Sequence, residues 1–448
     1  MSKRSLSEIE HEHILGPWSY QKSYFPGVIK DVDDCYFVDE QGKRYLDFRS
    51  QVVCANLGNR NEAVINAIRQ QAATIPFVSS KFTTQSRAEL GSLLADVTPK
   101  SLEKTFFSTS GTEANEAVIK ISRLYTGKSK IISRYRSYHG STAGSMSVSG
   151  DPRRHCIEPD GLMPGVIRAP DPYCYRCPLK QEYPDCGIAC VDYIDYIIEM
   201  ESNEKIAAVL VEAIVGSSGA VIVPPNEYLP RLRDITRNAG ILLAIDEVMT
   251  GFGRTGEWFA TNHYNVTPDL MSMAKGLTGS YVPMGATIMT QEIASHFDED
   301  YFCVGHTFSG HPLAAAAALA ALKEYKERKL IENARTLGKV MEKRLNELKD
   351  KHACIGDVRG KGLFWAIELV KNRKTKEPFV RRQEYPTKRK HVFSAVASEA
   401  LKKGLFIGGL PFTNSFLLTP PLVISEAEID VAMEVLDGVL KLADAETE

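Results

Sequence analysis

A chain of 448 residues with 44% hydrophobic content is long enough to bury a substantial core and points to two structural domains. A formal charge of −2, with no dense lysine and arginine block interleaved with aromatics, excludes a nucleic-acid footprint. No window approaches eighteen uninterrupted apolar residues, which excludes a membrane-spanning helix of ordinary composition.

The opening stretch "MSKRSLSEIEHEHILGPW" starts basic but carries no apolar core, so no secretory leader is expected. Nine cysteines, an odd number, suggest mostly free thiols in a reducing compartment, and a cytoplasmic location is the expectation. Segments 61–73 and 84–97 carry apolar residues at helical spacing, with Leu90, Leu93, Leu94 and Val97 on one face. From about residue 104 the texture becomes strand, small-residue turn and helix, in "KTFFSTSGTEANEAVIKISRLYTG". Ser110, Gly111 and Thr112 sit at that turn, where free backbone N–H groups and the helix dipole favour an anion such as phosphate. An N-cap without a ligand has the same sequence pattern.

"KIISRY" is a short buried strand, followed by "SYHGS", in which Tyr138 and His139 precede a glycine. An aromatic there either stacks on a planar ring or belongs to the core. "AAVLVEA" and "ILLAID" are further buried strands, the second ending in Asp246. Ligands of open α/β sheets bind beyond the carboxyl ends of strands, so this acid serves a ligand or caps the next turn. "GFGRTG" at 251–256 formally matches a dinucleotide fingerprint, but it starts too far from the strand end and opens no strong helix. "LMSMAK" brings Lys275 to the end of another apolar strand, where it either emerges at the sheet edge or is desolvated, which lowers an amine pKa and makes a competent nucleophile. "GATIMT" is a further strand, and an alanine-rich helix begins near Pro312.

Strands alternating with helices imply an α/β fold with a large, mostly parallel sheet flanked by helices. The texture then changes to a long amphipathic helix at 328–350, "DVRGKGLFWAIEL", a helix near 391–403, "GLFIGG" and "FLLTPPL". The last helix opens on a capping box of Ser425 and Glu428. We expect residues 61–324 to form the large domain and 325–448 a smaller α+β domain, joined by the N-terminal segment 1–60.

A phosphate cradle, a ring stacker, a strand-end acid and a strand-end lysine are together the parts that pyridoxal phosphate requires. On the motifs "SGTEANEAVIK", "SYHGS", "LLAIDEVMTGFGRTG", "AKGLTGSYVPMGA" and "HTFSGHPLAAAAAL", the chain resembles the class III aminotransferases of fold type I. "RYRSYHGSTAG", "DPYCYRCP" and "DPRR" are most similar to the taurine and ω-amino acid branch. The resemblance implies that Lys275 is the Schiff-base lysine and proton carrier, that Asp246 pairs with the pyridine nitrogen, and that Tyr138 and Val248 pack on opposite ring faces. It assigns Ser110, Gly111 and Thr112 to the phosphate, together with Thr307 of a neighbouring subunit, hence a homodimer or a dimer of dimers with shared sites. It also places His139 and Glu212 at the cofactor and Trp18 and Val53 in the substrate pocket. The reaction implied moves an amino group from an amine donor such as taurine, β-alanine or 4-aminobutyrate to a keto acid, pyruvate or 2-oxoglutarate. An aminomutase, racemase or decarboxylase on the same fold, and more remotely an NAD-dependent dehydrogenase, are the alternatives.

One departure stands out in "GGLPFTNSFLLTPPL": Leu410 and Leu417 occupy the two positions where relatives carry a carboxylate-gripping arginine. Arg136 is one replacement candidate, and a donor less dependent on a carboxylate is the other. The four cysteines of "CYRCPLKQEYPDCGIAC", Cys174, Cys177, Cys186 and Cys190, have spacings close to a structural zinc site or to a loop packed by thiols. Transamination itself requires no metal.

Overall fold

The computed structural model describes residues 4–24, 27–156, 161–385 and 391–448. Ser5 and Glu8 close a capping box on the helix Leu6–His13. Three short strands follow, β1 (Ile29–Asp33), β2 (Tyr36–Asp39) and β3 (Arg44–Asp47), paired as an antiparallel meander.

The central sheet contains β4 (Leu102–Ser108), β5 (Lys130–Arg134), β6 (Val166–Ala169), β7 (Ile206–Glu212), β8 (Leu242–Asp246), β9 (Leu270–Met273) and β10 (Gly285–Thr290). Among the described residues its order is β4-β10-β9-β8-β7-β5-β6. From β9 to β6 every pairing is parallel, whereas β10 runs antiparallel to both β4 and β9. All seven residues of β7, IAAVLVE, are buried, as a strand covered by helices on both faces must be. The helix Gly111–Thr126 packs on β9 and β10 through Ala114, Ala117, Val118 and Ile121 and stops at Gly127, whose φ of 67° closes the left-handed cap. Gly285 opens β10 directly under the turn before that helix: a Cβ there would stand 2.2 Å from the Ser110 carbonyl oxygen.

The rest of the chain supplies β11 (Ile355–Lys361), β12 (Phe364–Leu369), β13 (Leu405–Phe406), β14 (Gly408–Leu410) and β15 (Ser415–Leu418). β11-β12-β15-β14 form an antiparallel sheet, and β13 pairs parallel with β3, joining the N-terminal meander to the C-terminal part. The closing helix Glu426–Asp444 carries the Ser425–Glu428 capping box. Among the described residues no helix is long and apolar enough to cross a membrane.

Where a dinucleotide loop would need a strand end and a helix, residues 251–256 make a compact turn that serves as a joint. Arg254 within it is fully buried. One terminal nitrogen donates to the carbonyls of Leu363, at 3.0 Å, and Pro420. The other donates to Ser50 Oγ at 3.1 Å and Asn56 Oδ1 at 2.7 Å. Burial lowers its pKa to about 10. A single guanidinium thus satisfies four acceptors from three distant parts of the chain. Arg254→Met is expected to lower stability by about 2–4 kcal/mol in chemical denaturation, because buried acceptors lose their donor. A midpoint equal to that of the unsubstituted protein would show that the joint is held elsewhere.

Candidate active site

The parallel register decides which side chains meet. Glu212 lies beside Asp246 across β7 and β8, and Asp246 lies beside Ser272 across β8 and β9. All three sit at the carboxyl edge of the sheet. Lys275 follows two residues after β9, and Tyr138 follows four residues after β5. Residues far apart in sequence therefore converge at one edge because their strands are neighbours.

They surround one cavity. Ser110, Gly111, Thr112, Tyr138, His139, Glu212, Asp246, Val248 and Lys275 all line it, together with Asn115, Ser217 and Met249. The cradle at the start of the helix Gly111–Thr126 is built from small residues for a steric reason: a Cβ on Gly111 would meet Val248 Cγ1 at 2.7 Å. One on Gly140 would meet Thr112 Oγ1 at 2.6 Å. Ser110 caps the helix by accepting from Glu113 N at 3.2 Å. The first-turn N–H groups and the dipole beyond it favour an anion.

Asp246 is 4% exposed, so its carboxylate needs partners. Its Oδ2 accepts from Asn115 Nδ2 at 2.7 Å and from His139 Nδ1 at 2.8 Å, and its Oδ1 from Val248 N at 2.9 Å. Asn115 is itself fixed, because Ser272 Oγ donates to its Oδ1 at 2.7 Å and its amide also reaches the His139 carbonyl at 2.8 Å. Glu212 accepts from the backbone N–H groups of Tyr138, at 3.1 Å, and Gly216, at 2.5 Å. Burial raises its pKa, with Asp246 adding to the effect and His139 opposing it. Lys275 sits at φ 46°, a left-handed conformation that costs energy in a side-chain-bearing residue. Desolvation lowers its pKa against the pull of Asp246, Cys54 and Glu212, and Arg153 lowers it further.

A flat, anionic, pyridine-containing cofactor fits this donor set. The helix start offers N–H groups to a phosphate, the held carboxylate offers a counter-ion to a ring nitrogen, and the desolvated amine offers a nucleophile to an aldehyde. Pyridoxal phosphate has these three ends.

Other sequence-predicted residues lie outside the cavity lining. Thr307 is exposed. Val53 is buried at φ 57° and packs with Leu417, Ala366 and Phe364, with Leu410 at the edge of the same cluster. The two leucines at the usual arginine positions thus belong to an apolar wall. Arg136 faces a different cavity, beside Asp171 at 4.0 Å and over the Tyr173 ring at 5.0 Å, so geometry removes it as the replacement guanidinium. Trp18 is 67% exposed and stands over the guanidinium of Arg153.

The sequence reading missed Asn115, Ser272 and Arg153. Asn115 left one signal, an amide on a buried helix face that is apolar apart from Ser122. Cys174, Cys177, Cys186 and Cys190 line one small separate cavity, all as free thiols, and burial pushes Cys190 up to about 12. Among the described residues no group of three or more side chains of metal-ligand type is arranged to hold an ion.

The profile of the class III aminotransferases matches residues 19–440. A putrescine–pyruvate aminotransferase of Pseudomonas aeruginosa is 34% identical over 95% of this chain and 94% of its own. A leucine/methionine racemase of Thermococcus litoralis is 36% identical over 98% of this chain and 95% of its own. The crystal structure of taurine:2-oxoglutarate aminotransferase from Bifidobacterium kashiwanohense, in complex with PLP and glutamate, superposes with a TM-score of 0.93 at 33% identity and covers 99% of both chains.

The surroundings of Lys275 predict a titration. Burial disfavours the ammonium, so Nζ loses its proton below the ordinary lysine value. In cofactor-free protein, amine labelling by trinitrobenzenesulfonate is expected to show one phase, missing in Lys275→Met, whose rate rises at lower pH than that of surface lysines. A Lys275 phase that tracks the surface lysines would refute the desolvated amine.

Proposed function

The chain belongs to the pyridoxal phosphate-dependent class III aminotransferases, and we propose that within them it moves the amino group of an ω-amine, taurine, β-alanine, 4-aminobutyrate or a near relative, to pyruvate or 2-oxoglutarate. The observation that carries the proposal is the cavity itself, around which a desolvated lysine, a held carboxylate and a helix-start cradle lie, while Leu410 and the buried Leu417, outside its lining, belong to an apolar cluster where relatives carry a guanidinium. That cluster argues against α-amino acids gripped by a bidentate arginine at those positions. The names of the taurine and putrescine aminotransferases support an ω-amine donor.

Ser110, Gly111 and Thr112 would hold the phosphate, Tyr138 and Val248 would pack against the ring, and Asp246 would pair with the ring nitrogen. His139 and Asn115 keep Asp246 in place. When bound, the cofactor supplies an aldehyde that accepts the amino group and a protonated ring that takes up electrons. Lys275 Nζ takes the proton from the amine-bearing carbon of the donor, and burial, which lowers its pKa, favours the free base that this step needs. Glu212, buried beneath Tyr138, fixes the backbone that carries the stacking ring.

The racemase among the relatives marks the second reading, in which Lys275 removes the proton from one face of the donor carbon and a second acid delivers one to the opposite face. Donors incubated with pyruvate or 2-oxoglutarate are expected to yield alanine or glutamate, and Lys275→Ala to lower that rate by at least 10³-fold with the fold intact. Inversion of an α-amino acid without any acceptor, and no alanine or glutamate from any ω-amine, would replace transamination by racemisation.

We propose further that the working form is a homodimer in a reducing, cytoplasmic setting. Thr307 is exposed beside an aromatic surface of Phe77 and Phe308, whose ring centroids lie 6.1 Å apart, and Phe82 and Tyr301 are exposed as well. A second copy covering them would bring Thr307 to its neighbour's phosphate. Phe308→Asp is expected to halve the mass in sedimentation and to weaken cofactor retention. An unchanged mass would place the interface elsewhere.

A further inference from the structure

Arg136 faces a cavity that shares no lining residue with the candidate active site, and this second cavity is strongly basic. Arg136, Arg154, Arg168 and Arg382 line it together with His155, against one described carboxylate, Asp171. The chain as a whole has a formal charge of −2, so the cavity is a local concentration of positive charge within a near-neutral molecule. Its four arginines come from four elements: the turn after β5, the short turn Pro152–Cys156, β6, and the turn Arg382–Glu384. Folding alone brings them together.

Backbone carbonyls orient these guanidinium groups without cancelling their charge. Arg168 Nη2 donates to the carbonyls of Ser147, at 2.6 Å, and Ser149, at 3.2 Å. Arg154 Nη1 and Arg382 Nη2 both donate to the carbonyl of Gly150, at 3.1 and 2.9 Å. Two cations that share one acceptor have those nitrogens no more than about 6 Å apart, where like charges repel. The shared acceptor is fixed in place, since a Cβ on Gly150 would stand 2.2 Å from the Tyr135 carbonyl oxygen. Arg382 shows the consequence of this crowding. Its Nη1 is buried with no acceptor among the described residues. Burial lowers its pKa, with Arg136 and Arg154 adding to the effect and Asp151 and Asp171 opposing it. Asp171 offsets only part of the charge: its Oδ1 is taken by the Arg136 backbone N–H at 2.8 Å, and Arg136 Nε stands 4.0 Å from its Oδ2. Tyr135 and Tyr193, both exposed, add flat aromatic faces to the same lining.

We propose that this cavity is a second ligand site, which binds a small oligophosphate through the guanidinium groups of Arg136, Arg168 and Arg382. An oligophosphate carries several adjacent anionic oxygens, and each guanidinium can pair with two of them in parallel. A lone carboxylate offers a single pair of oxygens and leaves most of the cations unanswered. The phosphate chain belongs either to a nucleotide, whose base would lie on Tyr135 or Tyr193, or to free polyphosphate. Arg168 comes from β6 and Arg382 from the part of the chain beyond β12, so a ligand between them ties the edge of the central sheet to the C-terminal part. The site does not depend on which amine the enzyme uses.

The test titrates holoenzyme calorimetrically with tripolyphosphate, ATP, inorganic phosphate and citrate at one fixed ionic strength. Loaded cofactor keeps the helix-start cradle occupied, and an unchanged cofactor absorbance shows that the added anion has not displaced it. Tripolyphosphate is expected to bind at least about 10-fold more tightly than inorganic phosphate or citrate. ATP binding more tightly than tripolyphosphate assigns the site to nucleotides, and the reverse order assigns it to free polyphosphate. Arg382→Met and Arg168→Met are each expected to weaken the tripolyphosphate constant by about 10–100-fold, and Arg382→Lys by less. Arg237→Met, which removes an exposed arginine outside the cavity, is expected to leave it unchanged. Arg136→Gln and Arg382→Lys carry the comparison if a methionine variant loses its cofactor absorbance. Tripolyphosphate bound no more tightly than inorganic phosphate would overturn the proposal. So would a tripolyphosphate constant that the cavity substitutions weaken no more than Arg237→Met does.

Discussion

The site depends on giving one buried carboxylate its hydrogen-bond partners where water is scarce. Asp246 lies at the carboxyl end of a strand flanked on both sides by parallel neighbours, and it is stable there only because His139, Asn115 and the Val248 N–H converge on its two oxygens. Each of those donors belongs to a different element, so the anion holds the helix Gly111–Thr126, the turn after β5 and the turn after β8 in register. The same anion pulls the Lys275 pKa up while burial pulls it down. The amine is poised by opposed forces, and changing either one would alter the chemistry before it altered the fold.

A second fixed charge, Arg254, holds the surroundings of the site. Its four acceptors come from the segment after β3, the β11–β12 hairpin and the residues beyond β15. Val53, from the first of those regions, shares an apolar cluster with Phe364 and Ala366 of β12 and Leu417 of β15. A glycine-rich stretch that looks like a nucleotide loop is in fact a mechanical tie.

Much of this was visible in the sequence, for definite reasons. Strand-end chemistry is legible because a buried strand is a short apolar run and its last polar residue is conspicuous, as with Asp246 and Lys275. Helix starts are legible from their caps, as with Ser110 and the Ser425–Glu428 box. The direction of β10 was not, because an apolar run such as GATIMT has the same composition whichever way it points. Asn115 was hidden for a related reason: it lies inside a motif noted for its glycine and hydroxyls, and its importance comes from a carboxylate 131 residues away. Arg153 stood in the sequence only as part of the DPRR stretch, and its place against Tyr138 and Trp18 comes from folding. The candidate Arg136 failed because the turn after β5 sends that side chain to Asp171, on the other side of Tyr173.

The reversed strand β10 has a geometric effect. It lies between β4, whose end leads to the phosphate cradle, and β9, whose end leads to Lys275. Beyond the edge of β10 the two ends close on each other, since a Cβ on Gly111 would lie 3.5 Å from the Cβ of Ala274, the residue before Lys275. Gly285, forced to lack a side chain beneath the Ser110 carbonyl, is what lets the cradle turn settle against β10.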